Sequence, residues 1–247
     1  MRASILVLLG TTIVALCRPP LWSPDAAKFY SSVGKEIETR RRHGNPTPTS
    51  LCDLSQIPLP QASELLPDIP DGQQLLAVVI GRGTQNYTCE APDASNKPTA
   101  LGAVATLFNA SCVAANYPYL LYLLPNIALQ LSNPEPAVES FGPSDMSVAG
   151  HHYFSDATTA VFDLWSLGVS YVQKKNAVDA PENAVQGIEG RLTGAAPWLF
   201  LASIPESPGL VKSIYRVNTA GGNPPVNCSG QPAEITIDYA TQYWLYG

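Results

Sequence analysis

LLAVVIGRGTQNYTC, Leu75 to Cys89, leads from an unbroken apolar run into two glycines one residue apart. A strand followed by Gly-x-Gly is how a dinucleotide-binding loop begins. Such a loop needs a third glycine or alanine where the following helix packs on the strand, and it must open that helix toward the pyrophosphate. Asn86 stands at the third position, and the residues after it, Tyr87-Thr88-Cys89, are β-like and lead to Pro92. The stretch therefore reads as a glycine-bent passage between two β segments. Gln74 to Gly81 is apolar on both faces, which predicts a strand buried on both sides. Gly81 and Gly83 then mark a bulge or a close backbone approach between two β segments.

Outward from this strand, β signals dominate. In PTALGAVATLFNASC, Leu101, Ala103, Ala105 and Leu107 alternate onto one side. From His151 onward come HHYF, TAVFDLW, PWLFLASI, SIYRVN and EITIDYATQYWLY. In the last, Ile235, Ile237, Tyr239, Tyr243 and Leu245 share one face, and Asp238, Gln242 and Trp244 the other. TAGGNPP, Thr219 to Pro225, carries turn chemistry. One helix interrupts the series, over about residues 117–131. Asn116 is its candidate cap, Pro118 lies in the first turn, and Leu120, Leu124, Ile127 and Leu131 form one stripe. Pro125 is expected to kink or divide it. Successive strands without alternating helices predict a mainly β fold, an antiparallel β-sandwich or barrel with one short helical insertion. This domain is expected to span residues 51–247.

The N-terminal residues read differently. Arg2, the apolar ILVLLGTTIVAL and the small residues Ala15 and Cys17 make residues 1–17 a secretory signal peptide cut before Arg18. The apolar stretch is shorter than the ~20 residues a spanning helix needs, so no membrane attachment is expected after cleavage. Residues 18–50 form a separate helical and linker segment, with a helix start at Ser23-Pro24-Asp25 and a Pro/Thr-rich end, HGNPTPTS. Arg40-Arg41-Arg42 is a candidate processing site, which would make this segment a propeptide.

Composition agrees with export. Charged residues are 14 % of the 247, against roughly 25 % in soluble proteins generally, and there are 23 prolines. A net charge of −6 argues against nucleic acid as a partner, because phosphate binding needs a basic face. Without Cys17, four cysteines remain: Cys52, Cys89, Cys112 and Cys228. An even count in an exported chain predicts two disulfides, with three pairings open. Asn86, Asn109 and Asn227 head glycosylation sequons, whereas the proline after Asn45 excludes that site.

Chemistry-bearing residues are few. His151 and His152 are adjacent, so on a strand they point to opposite faces and cannot chelate one ion; no metal and no cofactor are expected. The same histidines lie near Asp156 and Asp163, which makes them the candidates for a hydrolase, although there is no Gly-x-Ser-x-Gly elbow. Trp165, Trp198, Tyr243, Trp244 and Tyr246 could build a sugar-stacking platform, and Trp244 and Tyr246 lie on the more polar face of their strand.

The motifs GRGTQNYTC (81–89), GAVATLFNASC (102–112), GHHYF (150–154), AVFDL (160–164), APWLFL (196–201), YRVNTAGGNPP (215–225) and YATQYWLYG (239–247) resemble, in this order, the domain of unknown function 3455 family of secreted fungal and bacterial proteins. The likeness covers about residues 52–247. It implies a single extracellular domain with no catalytic residues to carry over. Fungal members often bear the name malate dehydrogenase, for which this sequence holds no completed dinucleotide fingerprint. The leading functional expectation is a secreted binding or interaction protein at a cell wall or surface, its partner a glycan or another extracellular protein. A secreted hydrolase using His151 or His152 is the alternative.

Overall fold

The computed structural model describes residues 52–247, apart from 92, 94, 135–139, 142–145 and 189–190. The signal peptide, the 18–50 segment and the arginine run lie outside the described residues. Eight strands close into an antiparallel barrel: β1 (Leu75–Thr88), β2 (Thr99–Asn109), β4 (Met146–Phe154), β5 (Thr159–Leu164), β6 (Gly168–Val178), β9 (Trp198–Ser203), β10 (Ser213–Gly221) and β11 (Glu234–Tyr246). Each pairs with the next in this order, and β11 returns to β1, so the barrel is up-and-down and has no open edge. The two-residue strand β3 (Ser140–Phe141) pairs with β4, and β7 (Gly187–Ile188) with β8 (Arg191–Leu192).

Two cores share the barrel wall. Val79, Leu107, Phe162, Leu164, Ile214, Tyr243 and Leu245 fill the interior. Val78, Ile80, Phe108, Trp198, Tyr215 and Trp244 point outward from the same strands into a second core. That second core is completed by two short helices, α1 (Ser111–Asn116) and α2 (Pro118–Leu129), and by the arm that contributes Leu54, Ile57, Leu59 and Leu66. Strand β1 is thus buried on both faces, as its unbroken apolar run predicts.

Gly81 and Gly83 have separate steric reasons to be glycine. A Cβ on Gly81 would lie 2.6 Å from Cε2 of Tyr243, whose ring crosses the barrel interior there. A Cβ on Gly83 would lie 1.9 Å from the Val104 carbonyl oxygen. Both glycines are inside a continuous strand, so no dinucleotide loop exists at this point.

The alternation in β11 holds throughout, but that in β2 does not. Leu101 is exposed, not aligned with Ala103, Ala105 and Leu107. The β1–β2 register shifts between Asn86 and Tyr87, whose partners are Gly102 and Ala100, and the extra residue Leu101 turns outward.

The helical insertion is two helices, not one. Tyr117 caps α2 in place of Asn116, whose Nδ2 donates to Cys112 O, and Pro118 takes the first helical position. Pro125 does not divide α2. Proline has no N–H for the carbonyl four residues back, and Gln242 of β11 substitutes: its Nε2 donates to Leu121 O at 2.8 Å. Asn218 Nδ2 likewise donates to Tyr122 O at 2.7 Å.

The disulfides are Cys52–Cys112 and Cys89–Cys228. The first ties the arm to α1, and the second closes one end of the barrel beside Tyr87, Ile235 and Ile237. Among the described residues no helix is long and apolar enough to cross a membrane.

Candidate functional site

Between the arm, α2 and the barrel wall lies a groove of about 300 Å³, at the lower end of ligand-site volumes. The arm supplies Pro60, Gln61, Ala62 and Ser63, the segment after β6 supplies Pro181, Asn183 and Ala184, and α2 supplies Tyr122. Trp198, Asn218 and Thr219 form the barrel side. None of these residues is charged.

Three features distinguish this groove from ordinary surface. Tyr122 is 52 % exposed, on the side of α2 turned away from the core. Trp198 is 4 % exposed, yet its indole Nε1 has no hydrogen-bond partner. A buried N–H left without an acceptor costs about 1–3 kcal/mol. Asn218 sits at φ 50°, the one non-glycine residue with positive φ among those described. Strain of this kind is retained where the surroundings fix it, often at ligand sites. Here the β10–β11 register shifts between Val217 and Ala220, and the irregularity brings Asn218 over to the Tyr122 carbonyl. The floor is held by Thr219, whose hydroxyl donates to Ala196 O.

The histidine and carboxylate candidates are not brought together. His152 faces the barrel interior, 3 % exposed and stacked on Phe162 at 4.3 Å between ring centres. Its Nδ1 lies 3.0 Å from Val161 O, and burial holds the ring down at about 4. His151 is half-buried on the outer wall, edge-on to Trp165. Asp163 sits opposite it in register with no bond between the two. Asp156 is consumed by the β4–β5 turn: its Oδ1 accepts from Thr158 N and Thr159 N, and these bonds hold it near 2. No nucleophile–base–acid set arises from these four residues.

Trp244 and Tyr246 are corrected as stacking residues. Both are buried in the outer core, 1 % and 3 % exposed. The polar neighbour that made this face look solvated, Gln242, is itself buried and accepts from Trp244 Nε1 through its Oε1. Trp198, from the same group of aromatics, does reach a groove. Tyr122 and Asn218 were missed. Tyr119 and Tyr122, both exposed and three residues apart, are the sequence signal that α2 presents rings to solvent.

All three sequon asparagines are at or near the surface: Asn109 is exposed, while Asn86 and Asn227 are half-buried. Asn109 and Asn227 each accept, through Oδ1, the backbone N–H two residues on.

A family model described as Protein of unknown function (DUF3455) matches residues 70–247. A second, also described as Protein of unknown function (DUF2990), matches residues 21–67. No curated protein and no solved structure matches the chain.

Proposed function

The chain belongs to the DUF3455 family, whose description assigns no activity, and from the groove's own chemistry we propose that this protein is an extracellular, non-catalytic glycan-binding protein. The observation that carries the reading is that an exposed ring, Tyr122, and Trp198, whose buried indole N–H has no partner, line the same uncharged groove. A pyranose ring has an apolar face for the tyrosine and hydroxyl oxygens for the indole. Gln61, Ser63, Asn183 and Asn218 add neutral donors and acceptors, so the ligand is an uncharged sugar of a cell wall or surface.

Two disulfides and the absence, among the described residues, of a long apolar helix are compatible with an extracellular protein. The same reading includes removal of residues 1–17, a separate 18–50 segment ahead of one β domain, and N-glycans on Asn86, Asn109 and Asn227. The test is binding of the mature protein to a glycan array. Neutral oligosaccharides are expected to bind, and Tyr122→Ala is expected to weaken binding at least tenfold, the loss of roughly 1.4 kcal/mol of stacking. Silence across the array, or retention by acidic glycans alone, would overturn it.

A further inference from the structure

Among the described residues, one charge inside the barrel has no opposite. Arg216 of β10 lies between Tyr215 and Val217, which pack in the outer core, and itself faces inward, 8 % exposed. Its Nε and Nη2 both donate to Pro197 O, at 3.2 and 2.8 Å. A guanidinium carries five donors in all, so one carbonyl and a contact with the Tyr243 phenol still leave donors over. The one ion pair among the described residues, Arg82–Asp238, belongs to the outer wall, where Arg82 also donates to Leu131 O beyond the end of α2.

The titratable neighbours of Arg216 are uncharged. Its field reaches Tyr87, His152, Tyr239 and Tyr243. Burial raises the three phenols and lowers the imidazole, so all four are neutral at pH 7. Among the described residues the interior therefore carries one uncompensated positive charge, which an apolar surrounding tolerates poorly.

Other donors gather in the same place. The hydroxyls of Tyr239 and Tyr243 are 2.9 Å apart. They own two protons and share one hydrogen bond, so one proton is left to donate elsewhere. Gln85 is 8 % exposed, and its Nε2 has no partner. Gln85 lies beside Tyr239, its Nε2 short of hydrogen-bond geometry with the phenol. A cation, an amide N–H and a phenol O–H thus converge, and no anionic acceptor accompanies them.

We propose that the barrel interior is a binding site for a small monovalent anion, a formate-sized carboxylate or a halide, held by Arg216, Gln85 and the Tyr239–Tyr243 hydroxyl pair. One positive charge sets the valence. The rings of Phe162, His152 and Tyr243 pack against one another at 4.3–5.6 Å between centres, so only a small anion could be accommodated beside them. This site is separate from the groove and stands whether or not a sugar binds there.

Thermal unfolding of the purified protein tests it, at fixed ionic strength, with bulky gluconate replaced stepwise by chloride or by formate. The melting temperature is expected to rise and saturate in one or both small anions, and the arm that saturates first identifies the chemistry. Carbon-13 formate should show a resonance broadened by the protein and restored by competing chloride if the two share the site. Gln85→Met is expected to weaken the anion about tenfold, as for loss of one hydrogen bond to a charge. Arg216→Met should abolish the dependence altogether; if that variant does not fold, Gln85→Met carries the test. Equal melting temperatures in all three salts with an unbroadened formate resonance, or an unchanged anion response in Gln85→Met, would overturn the proposal.

Discussion

The outer wall of the barrel has a covered half and an open half. On β9, β10, β11 and β1 the outward side chains disappear under α1, α2 and the arm. On β2, β4 and β5 Val104 and Tyr153 stand partly in solvent, and Trp165, at the end of β5, is exposed. Both halves enclose the same interior. A strand apolar on both faces therefore announces that something covers the barrel, and an alternating strand announces that nothing need do so. The groove lies where the cover meets the wall, because only there do a helix, an extended arm and a strand irregularity leave a concave gap.

The largest way to break this comparison runs through the open half. His151 and His152 are neighbours in β4, one on the outer wall and one inside. An unfolded histidine titrates near 6.5, whereas burial holds folded His152 at about 4. Below 6.5 the unfolded chain takes up a proton that the barrel refuses, so stability falls on acidification. The contribution is complete above about pH 6.5 and lost by about pH 4, roughly 3 kcal/mol in total. Asp156, held near 2, loses its share only below the ordinary carboxylate range, outside this window. Urea unfolding from pH 7 to 4 should show the loss in the native protein and in His151→Phe. It should be absent from His152→Phe. A flattened profile in the His151 variant alone would mean that the outward ring, not the inward one, is the buried base.

The covered half is broken through Gln242. Its side chain accepts from Trp244 Nε1 and donates to Leu121 O, the carbonyl that Pro125 leaves without a helical partner. Gln242→Met strands both groups in a buried interface and should cost about 2 kcal/mol or more. In a Pro125→Ala background residue 125 regains its N–H and Leu121 O regains an acceptor's role within the helix. The cost of Gln242→Met should then shrink by about 1 kcal/mol in a double-mutant cycle. Additive effects would show that the glutamine does not act on the proline-induced gap.

Much of the barrel was legible because its strands follow period two. The faces of β11, the doubly buried β1 and the β character of Gly81–Cys89 all follow from residue order. Sandwich and barrel could not be told apart, since closure depends on β11 meeting β1 across most of the chain. The groove was scarcely legible for the same reason. Trp198, Tyr122 and Asn218 are joined only by long-range packing, and Asn218 takes its positive φ from an irregularity opposite β11. Trp244 was misplaced because a polar residue beside it, Gln242, resembles a surface residue in sequence and is a buried helix partner in space. The disulfide pairing needed the fold, as the count of four cysteines leaves every pairing equal.

The smallest expected effect is on the open half, and it decides which half does the binding. Trp165 is 63 % exposed, and its ring meets His151 edge-on at 6.2 Å between centres. Trp165→Ser removes little buried area, so stability should change by less than about 0.5 kcal/mol. Trp165 is not among the residues lining the groove, so sugar affinity should also stay within about twofold, a difference of about 0.4 kcal/mol. Trp165 and Tyr122 are both exposed rings able to stack on a sugar, but Tyr122 shares its groove with Trp198, whose buried indole N–H has no acceptor. If stacking alone were sufficient, the two rings would serve equally, and Trp165→Ser would weaken glycan binding as much as Tyr122→Ala. A loss confined to Tyr122→Ala ties recognition to the junction of cover and wall, whereas a loss confined to Trp165→Ser moves it to the open half and leaves the groove without its ligand.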